Sequence, residues 1–322
     1  MNKTLLASLC ALPVVLPLVG CVQQDDSPDN IDKAIPTSDQ VAIHLNTANR
    51  AAVQRTAGQE NLGGLATWYV ATRDVTVLFN GGSTIVLDII HKIVSNPVTS
   101  TNGNVFTWGP WTDGALGPAE YKLEVTAPGD GTFSYVLSGR SKLTANSQFE
   151  AVVTGTADPR NGEAKGTGGF RLDFDAGRRV NPVDASDAKG SIEAHYDLSK
   201  KHLDLAIQST DALGQPLAGS YAYDEASDGG GQLLFTISAN AGGGAANESI
   251  ALRSRWKADS SGRADARISG GDLASLTATA SECWDTSFQQ IYYIDALSNG
   301  GTLSASEGQE SACAFTSADL PQ

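Results

Sequence analysis

The feature that most constrains this chain is a long series of segments in which apolar and polar residues alternate. The series begins near Val105 and continues to Trp256, and one segment, at positions 121–126, reads YKLEVT. Because successive side chains of a strand point to opposite faces, the pattern predicts antiparallel strands with one buried and one wet face. Short turns rich in glycine, aspartate and serine separate the segments, which predicts a meander of about ten to twelve strands joined as hairpins.

A different periodicity precedes the strands. Apolar residues recur at three- and four-residue steps from Leu65 to Val94, which predicts a helix near residues 64–95. Its second half is apolar around most of its circumference, which indicates a buried helix, and Asn80-Gly81-Gly82 is expected to break or kink it. Large sheets tend to curl, so the predicted fold class is mainly β: a curved sheet or open barrel with this long apolar helix packed against it.

The N-terminus has the properties of a targeting segment. Lys3 is followed by an apolar run from Leu5 to Leu18, too short to span a bilayer, which needs roughly 20 apolar residues. The run closes with Leu18-Val19-Gly20-Cys21, which resembles the lipobox of bacterial lipoproteins. The alternative is an ordinary signal peptide followed by a cysteine by coincidence.

The lipobox resemblance implies a cellular location for the protein. It implies that residues 1–20 are a lipoprotein signal peptide and that Cys21 carries palmitate-type acyl chains, which would make the membrane a partner of an exported, lipid-anchored protein. Val22, rather than an aspartate, follows the cysteine, which in a Gram-negative cell implies the outer membrane. Residues 21–37 are predicted to be the lipidated cysteine and a flexible acidic tether, and residues 38–322 a single β-rich domain.

Two of the four cysteines remain for the folded domain. Cys10 lies in the signal segment and Cys21 in the lipobox, which leaves Cys283 and Cys313. A disulfide between them is expected in an oxidising compartment. In the chain-entropy model it contributes roughly 3–4 kcal/mol.

The charge of the chain argues against some partners. The formal net charge is −14, from 22 Lys and Arg against 36 Asp and Glu. An acidic surface repels phosphate, so nucleic acid is not expected as a partner. It also disfavours overall electrostatic adhesion to anionic lipid, so the anchor must come from acyl chains.

No catalytic signature stands out, and no enzyme activity, cofactor or metal is predicted. The chain contains no G-x-S-x-G elbow, H-E-x-x-H pair, Walker A loop or EF-hand spacing. His195 and His202 flank a predicted turn, which leaves a surface metal site or the wet face of a hairpin as alternatives. Asp173 and Asp175 are predicted to share one face of a strand. The alternatives are a functional carboxylate pair and, as we favour, ordinary alternation of polar residues on a solvent-exposed strand face.

Three motifs lead to further expectations. Trp108-Gly109-Pro110-Trp111 either plugs the core, which we favour, or lines the mouth of a ligand site. Gly166-Thr167-Gly168-Gly169 is expected to form a bulge or bend. The aromatic residues near Cys283-Trp284 are expected to pack over the disulfide, with Glu282 and Asp285 beside it in solvent.

Several of these landmarks together resemble a group of uncharacterised lipoproteins of myxobacterial type. They are the lipobox, the Asn80-Gly81-Gly82 sequence, the two-tryptophan motif, Arg253-Ser254-Arg255-Trp256 and Glu282-Cys283-Trp284-Asp285. The group has no function that the resemblance transfers.

The functional prediction is a non-enzymatic, membrane-anchored lipoprotein that binds a lipid or other apolar ligand between sheet and helix. The predicted apolar contacts are Ile85, Ile89, Ile93, Trp108 and Trp111. One alternative is a structural or protein-interaction module of the cell envelope, with an envelope protein as partner. Another is a hydrolase with an unrecognised site, which predicts a perturbed carboxylate or histidine in a cleft.

Overall fold

A computed structural model gives the fold. It describes residues 31, 34–43, 62–112, 116–162, 165–183, 189–210, 214, 216–240, 244, 246–299 and 306–321. Cys21 and His44 lie outside these ranges, as do the predicted signal segment and the acidic positions 184 and 187.

One open sheet of 15 strands dominates the fold. The strands are β1 (Ser100–Asn102), β2 (Val105–Trp111), β3 (Ala119–Thr126), β4 (Phe133–Ser141), β5 (Glu150–Asp158), β6 (Thr167–Asp173), β7 (Ser191–Asp197), β8 (His202–Thr210), β9 (Pro216–Glu225), β10 (Gly231–Ala239), β11 (Glu248–Trp256), β12 (Gly262–Gly270), β13 (Thr277–Trp284), β14 (Gln290–Leu297) and β15 (Glu307–Gly308). Each strand pairs antiparallel with the next, so the predicted meander is confirmed, with more strands than the ten to twelve expected.

The meander gives the sheet two different ends. At one end, which we call the turn end, six connections from β3–β4 to β13–β14 share an aspartate whose Oδ1 accepts a backbone N–H two residues on. The aspartates are Asp130, Asp158, Asp197, Asp228, Asp259 and Asp285. This bond reverses the chain locally, so part of the acidic composition serves the turns. The opposite end, which we call the loop end, contains the β2–β3, β4–β5 and β6–β7 connections.

Three helices accompany the sheet: α1 (Ser38–Val41), α2 (Thr67–Val94) and α3 (Phe174–Val180). Helix α2 starts beside the β13–β14 turn, where the Ala66 N–H donates to the Phe288 carbonyl at 3.0 Å. Its buried residues join those of the strands in one hydrophobic core. We call the sheet face that packs against α2 the inner face.

Two expectations about α2 are wrong. The helix runs through Asn80-Gly81-Gly82 without a break, and the Asn80 side chain bonds both the N–H and the carbonyl of Ile43. The helix is also not apolar all round, because its described side chains divide between a buried side and an exposed side. The exposed side includes Asp74, Val77, Asp88, Ile89 and Lys92.

The packed chain begins earlier than predicted. Ile31 and Ile35, which fall in the segment interpreted as a tether, are buried in the core. Pro36 accepts a hydrogen bond at 2.9 Å from Nε2 of His91 near the end of α2. These two isoleucines cover apolar surface of the core, so this part of the predicted tether belongs to the packed domain.

The predicted bulge in β6 is also wrong. Strand β6 pairs in regular register with both neighbours, and its Gly168 lies opposite Tyr196. A Cβ built on Gly168 would lie 2.4 Å from the Tyr196 hydroxyl, and one on Gly155 would lie 2.1 Å from the ring of Tyr135. These glycines leave room for tyrosine rings that cross the inner face.

A C-terminal segment, residues 306–321, covers the outer face of β11–β14. The predicted disulfide is present, with 5.6 Å between the Cα atoms of Cys283 and Cys313. Arg263, almost fully buried, bonds Asp265 on its own strand and reaches Glu310 at 2.7 Å. The buried Asp265 also accepts the Asp319 N–H at 3.0 Å, so ion pairs fix the segment to the sheet.

Candidate functional site

A cavity of about 740 Å³ lies between the last turns of α2 and the inner face of β2–β6. Most of its lining is aliphatic or aromatic. The lining residues are Ile89, Lys92, Ile93, Asn96, Pro97, Thr99, Trp108, Gly109, Pro110, Trp111, Tyr121, Leu137, Val152, Val153 and Leu172. Trp111 ends β2, and Val152 and Leu172 are within three residues of the loop-end limits of their strands, so the cavity belongs to the loop end.

The helical wall of the cavity is fixed to the sheet through Trp108. The Trp108 indole is buried, and its Nε1–H donates to the carbonyl of Asn96 at 2.8 Å. Ile89 and Ile93, four residues apart on α2, line the cavity on the same side of the helix. Ile89 is 43% exposed, so the cavity is accessible from solvent at this residue.

The strand wall depends on an irregularity in β2. The β2–β3 register shifts between Trp108 and Trp111, where Gly109 and a cis Pro110 intervene. Gly109 has φ +97°, and a Cβ there would lie 2.5 Å from the Trp111 ring. The bulge therefore lets both tryptophans line the cavity although they are three residues apart in a strand.

The structure brings together four of the five predicted apolar contacts. Ile89, Ile93, Trp108 and Trp111 all line the cavity, whereas the side chain of Ile85 lies outside the described residues. The strand residues of the wall, such as Tyr121 and Leu172, were not singled out. Their alternation marks them as inward-facing, but only the register shows which inward positions remain uncovered by α2.

Glu282 was expected in solvent and is instead fully buried. Its carboxylate accepts the backbone N–H groups of Thr67 and Trp68 at the start of α2, the former at 2.9 Å. Burial raises the pKa of Glu282 to about 7, against the lowering effect of these bonds. The side chain satisfies donors that an α-helix leaves unpaired at its N-terminus, so its role is in folding rather than in a cleft.

His195 and His202 do not share a site. His195 contacts Glu193 at 3.1 Å, whereas His202 lies between Asp224, at 2.6 Å, and Asp204, at 2.9 Å. Burial lowers the pKa of His202, but the hydrogen bonds that its ring donates to the two carboxylates outweigh burial and raise it. Both ring nitrogens are already bonded, and in the described ranges no group of three or more histidine, cysteine or acidic side chains could hold a metal ion.

A second, smaller cavity of about 240 Å³ lies at the turn end between α1 and β7–β9. His202 lines it together with Asp197 and Lys201. Hydrogen bonds from Lys200 and Ser199 lower the pKa of Asp197 to about 2, which keeps that carboxylate ionised. Among the described side chains around this cavity, Asp197, Lys201 and His202 are engaged in ion pairs and turn bonds.

The two aspartates predicted to share a strand face do not do so. Asp173 ends β6 and caps α3, because its Oδ1 accepts the Ala176 N–H at 2.9 Å. Asp175 lies in the first turn of α3 and accepts the Gly190 N–H at 3.1 Å. The solvated-strand interpretation is therefore wrong, and both carboxylates organise the β6–β7 connection.

Comparisons with known proteins add no family to this geometry. No family model, curated protein or solved structure matches the chain. In the described ranges, none of the helices has the length and hydropathy needed to cross a bilayer.

Proposed function

We propose that this chain is a membrane-anchored lipoprotein of the cell envelope that binds a lipid or other acyl-chain ligand in the cavity between α2 and β2–β6. The main support is the cavity itself, which has a volume of about 740 Å³ and a largely aliphatic and aromatic lining. Ligand sites commonly measure 300–1,000 Å³ and combine an apolar lining with few polar groups. An apolar void of roughly 150 Å³ already binds benzene.

The polar groups at the cavity suit an amphiphile. Among the described lining residues, Lys92 is the one charged side chain, and it is exposed on the same helix as Ile89. A cation beside an apolar chamber would pair with the anionic head of a lipid while the chamber receives its tail. The N–H of Trp108 is already bonded to Asn96, so the tryptophan presents its apolar ring.

The anchor is the second part of the proposal. The lipobox-like Leu18-Val19-Gly20-Cys21 supports acylation of Cys21 and export, and the Val22 that follows supports the outer membrane in a Gram-negative cell. Two or more acyl chains hold a protein on a bilayer stably. An anchored chain with an apolar cavity would remain close to the source of its ligand.

One experiment tests both parts separately. Cells expressing the full chain are fed a palmitate analogue that bears a diazirine and an alkyne, irradiated, and the tagged peptides are mapped by mass spectrometry. Label on Cys21 without irradiation reports the anchor. Light-dependent crosslinks on peptides containing Ile93, Trp111 or Leu172 report the ligand site.

A matched pair of variants makes the second part specific. Ile89→Trp places an indole in the cavity, whereas Val77→Trp adds the same bulk to an exposed position of the same helix. Cavity crosslinks should disappear in the first variant and persist in the second. Absence of crosslinks from the wild-type cavity would refute ligand binding and favour a structural or protein-interaction role.

A further inference from the structure

The most exposed aliphatic side chains of the described residues collect at the loop end. Among the large hydrophobic residues of that part of the chain, the three with the greatest exposure are Leu116 at 96%, Val183 at 68% and Leu143 at 63%. They lie on the β2–β3, β6–β7 and β4–β5 connections, respectively. Isolated exposed leucines are normal on soluble proteins, but a group of them on one surface marks an interaction site.

These three connections are neighbours in space. Because the strands follow one another in the sheet, adjacent hairpins are separated by two strand spacings, roughly 10 Å. Nζ of Lys142 donates to Oγ1 of Thr112 at 3.2 Å, which joins the first connection to the second. Helix α3 packs on β4 and β5, and its Arg179 pairs with Glu150, which joins the third to them.

The surface adjoins the cavity. Trp111 leads into the connection that carries Leu116, and Leu172 precedes the one that carries Val183. Ile89, exposed on α2, also lines this cavity. Leu116, Leu143 and Val183, which we call the tips, therefore lie at the same end of the molecule as the cavity.

The length of chain before the fold indicates what this end can reach. Cys21 and Ile31 are ten residues apart, which limits their separation to roughly 35 Å. The chain enters the fold beside the end of α2, where Pro36 accepts the hydrogen bond from His91. That helix end is also the helical wall of the cavity, and ten extended residues are long enough for an anchor at Cys21 to bring the bilayer to the loop end.

We propose that the loop end is a membrane-docking surface on which Leu116, Leu143 and Val183 insert into the bilayer interface. Docked in this way, the cavity faces the bilayer, and a lipid can pass between membrane and cavity without crossing bulk water. This inference rests on the proposed function for the anchor and for the ligand. Among the described residues of the three connections, the charged side chains are four cations and one acid, so this part of the surface does not repel anionic lipid: Lys142, Arg178, Arg179 and Lys189 against Asp175.

The test places a reporter at each tip of the full-length chain. Single variants Leu116→Cys, Leu143→Cys and Val183→Cys are labelled with an environment-sensitive fluorophore and reconstituted through the native anchor into phosphatidylcholine–phosphatidylglycerol vesicles containing brominated lipid. We expect roughly a twofold loss of emission at the three tips, because interfacial side chains lie about 5–10 Å deep, within reach of the bromines. Leu62→Cys is the control, since Leu62 is 54% exposed at the turn end.

Each outcome has one meaning. Emission unaffected by brominated lipid at all three tips, or equally quenched at Leu62, would overturn the proposal. Labels protected from aqueous iodide in envelope preparations but not quenched by brominated lipid would overturn it in favour of a protein partner. If the chain does not enter vesicles through Cys21, the same labels are measured with vesicles added to the unanchored chain, and absence of quenching there overturns the docking proposal as well.

The two proposals also fail separately. Crosslinks in the cavity do not depend on the tip labels, so quenching without crosslinks would retain the docking surface and remove the ligand. Crosslinks without quenching would retain the ligand and remove the docking surface.

Discussion

Glu282 provides a direct test of how the long helix is held on the sheet. Its carboxylate is fully buried and accepts the N–H groups of Thr67 and Trp68. Burial penalises the charged form more than these bonds favour it, so the pKa of Glu282 rises from 4.5 to about 7. At about 1.36 kcal/mol per pKa unit, the shift corresponds to roughly 3 kcal/mol.

The sign follows from proton linkage. Between pH 4.5 and 7 the folded protein holds a proton on Glu282 that the unfolded chain has released, so the free energy of unfolding falls as the pH rises. The loss is complete above about pH 7 and absent below about pH 4.5. Glu282→Gln removes this titration, so the difference in stability between wild type and variant should change by about 3 kcal/mol across the window.

Urea unfolding of both proteins at several pH values from 4.5 to 7.5 measures the difference. For an m-value of about 3 kcal/mol/M, the wild-type midpoint should move by roughly 1 M relative to the variant. Because an amide also offers one acceptor fewer to the two N–H groups, the readout is the change with pH and not the absolute stability of the variant. Asp88→Asn, which removes an exposed carboxylate of α2, controls for the loss of one charge.

The opposite result would refute the reasoning. If the wild type gained stability over Glu282→Gln as the pH rose through this window, the helix N-terminus would outweigh burial and Glu282 would be held as an anion. Its contribution would then be that of a charged helix cap.

Three further predictions concern stability and are measured by chemical denaturation. Gly155→Ala should cost about 1–3 kcal/mol because its Cβ would meet the Tyr135 ring, whereas Gly177→Ala, whose Cβ meets nothing closer than 3.6 Å, should be neutral or stabilising; equal effects would contradict the packing. Reduction of the Cys283–Cys313 bridge, which spans 30 residues, should cost roughly 3–4 kcal/mol, and no change would contradict its structural role. Asp265→Asn should cost about 3–5 kcal/mol because it removes the buried charge partner of Arg263, which then keeps only the partly exposed Glu310, and a loss below 1 kcal/mol would argue against the ion-pair network.

The alternation of the sequence predicted the middle of the sheet but not its edges. Strand β1 consists of three exposed residues and β15 of two residues. Neither is long enough to show an alternation of apolar and polar residues. The predicted series also ended at Trp256, so β12, β13 and β14 were missed. In β12 the charged Arg263 and Asp265 obscure the apolar pattern, and they are buried because a segment some fifty residues later covers them.

Tertiary contacts also decided the details of the site. Asn80-Gly81-Gly82 contains residues with low helix propensity, yet the helix continues because packing and the Asn80–Ile43 bonds hold it. The residues Ile89, Ile93, Trp108 and Trp111 could be singled out from their apolar character. A cavity among them could not, because its volume depends on the β2 bulge and on where α2 ends relative to β2–β6.

Native mass spectrometry of the intact chain tests the central claim most directly. The protein is released from micelles in the gas phase, and lipid is identified after denaturing extraction. Ligand binding in the cavity predicts a discrete mass beyond the acylated, disulfide-bonded polypeptide in the wild type and in Val77→Trp, and its loss in Ile89→Trp. A wild type with the mass of the acylated polypeptide alone would contradict ligand binding in the cavity.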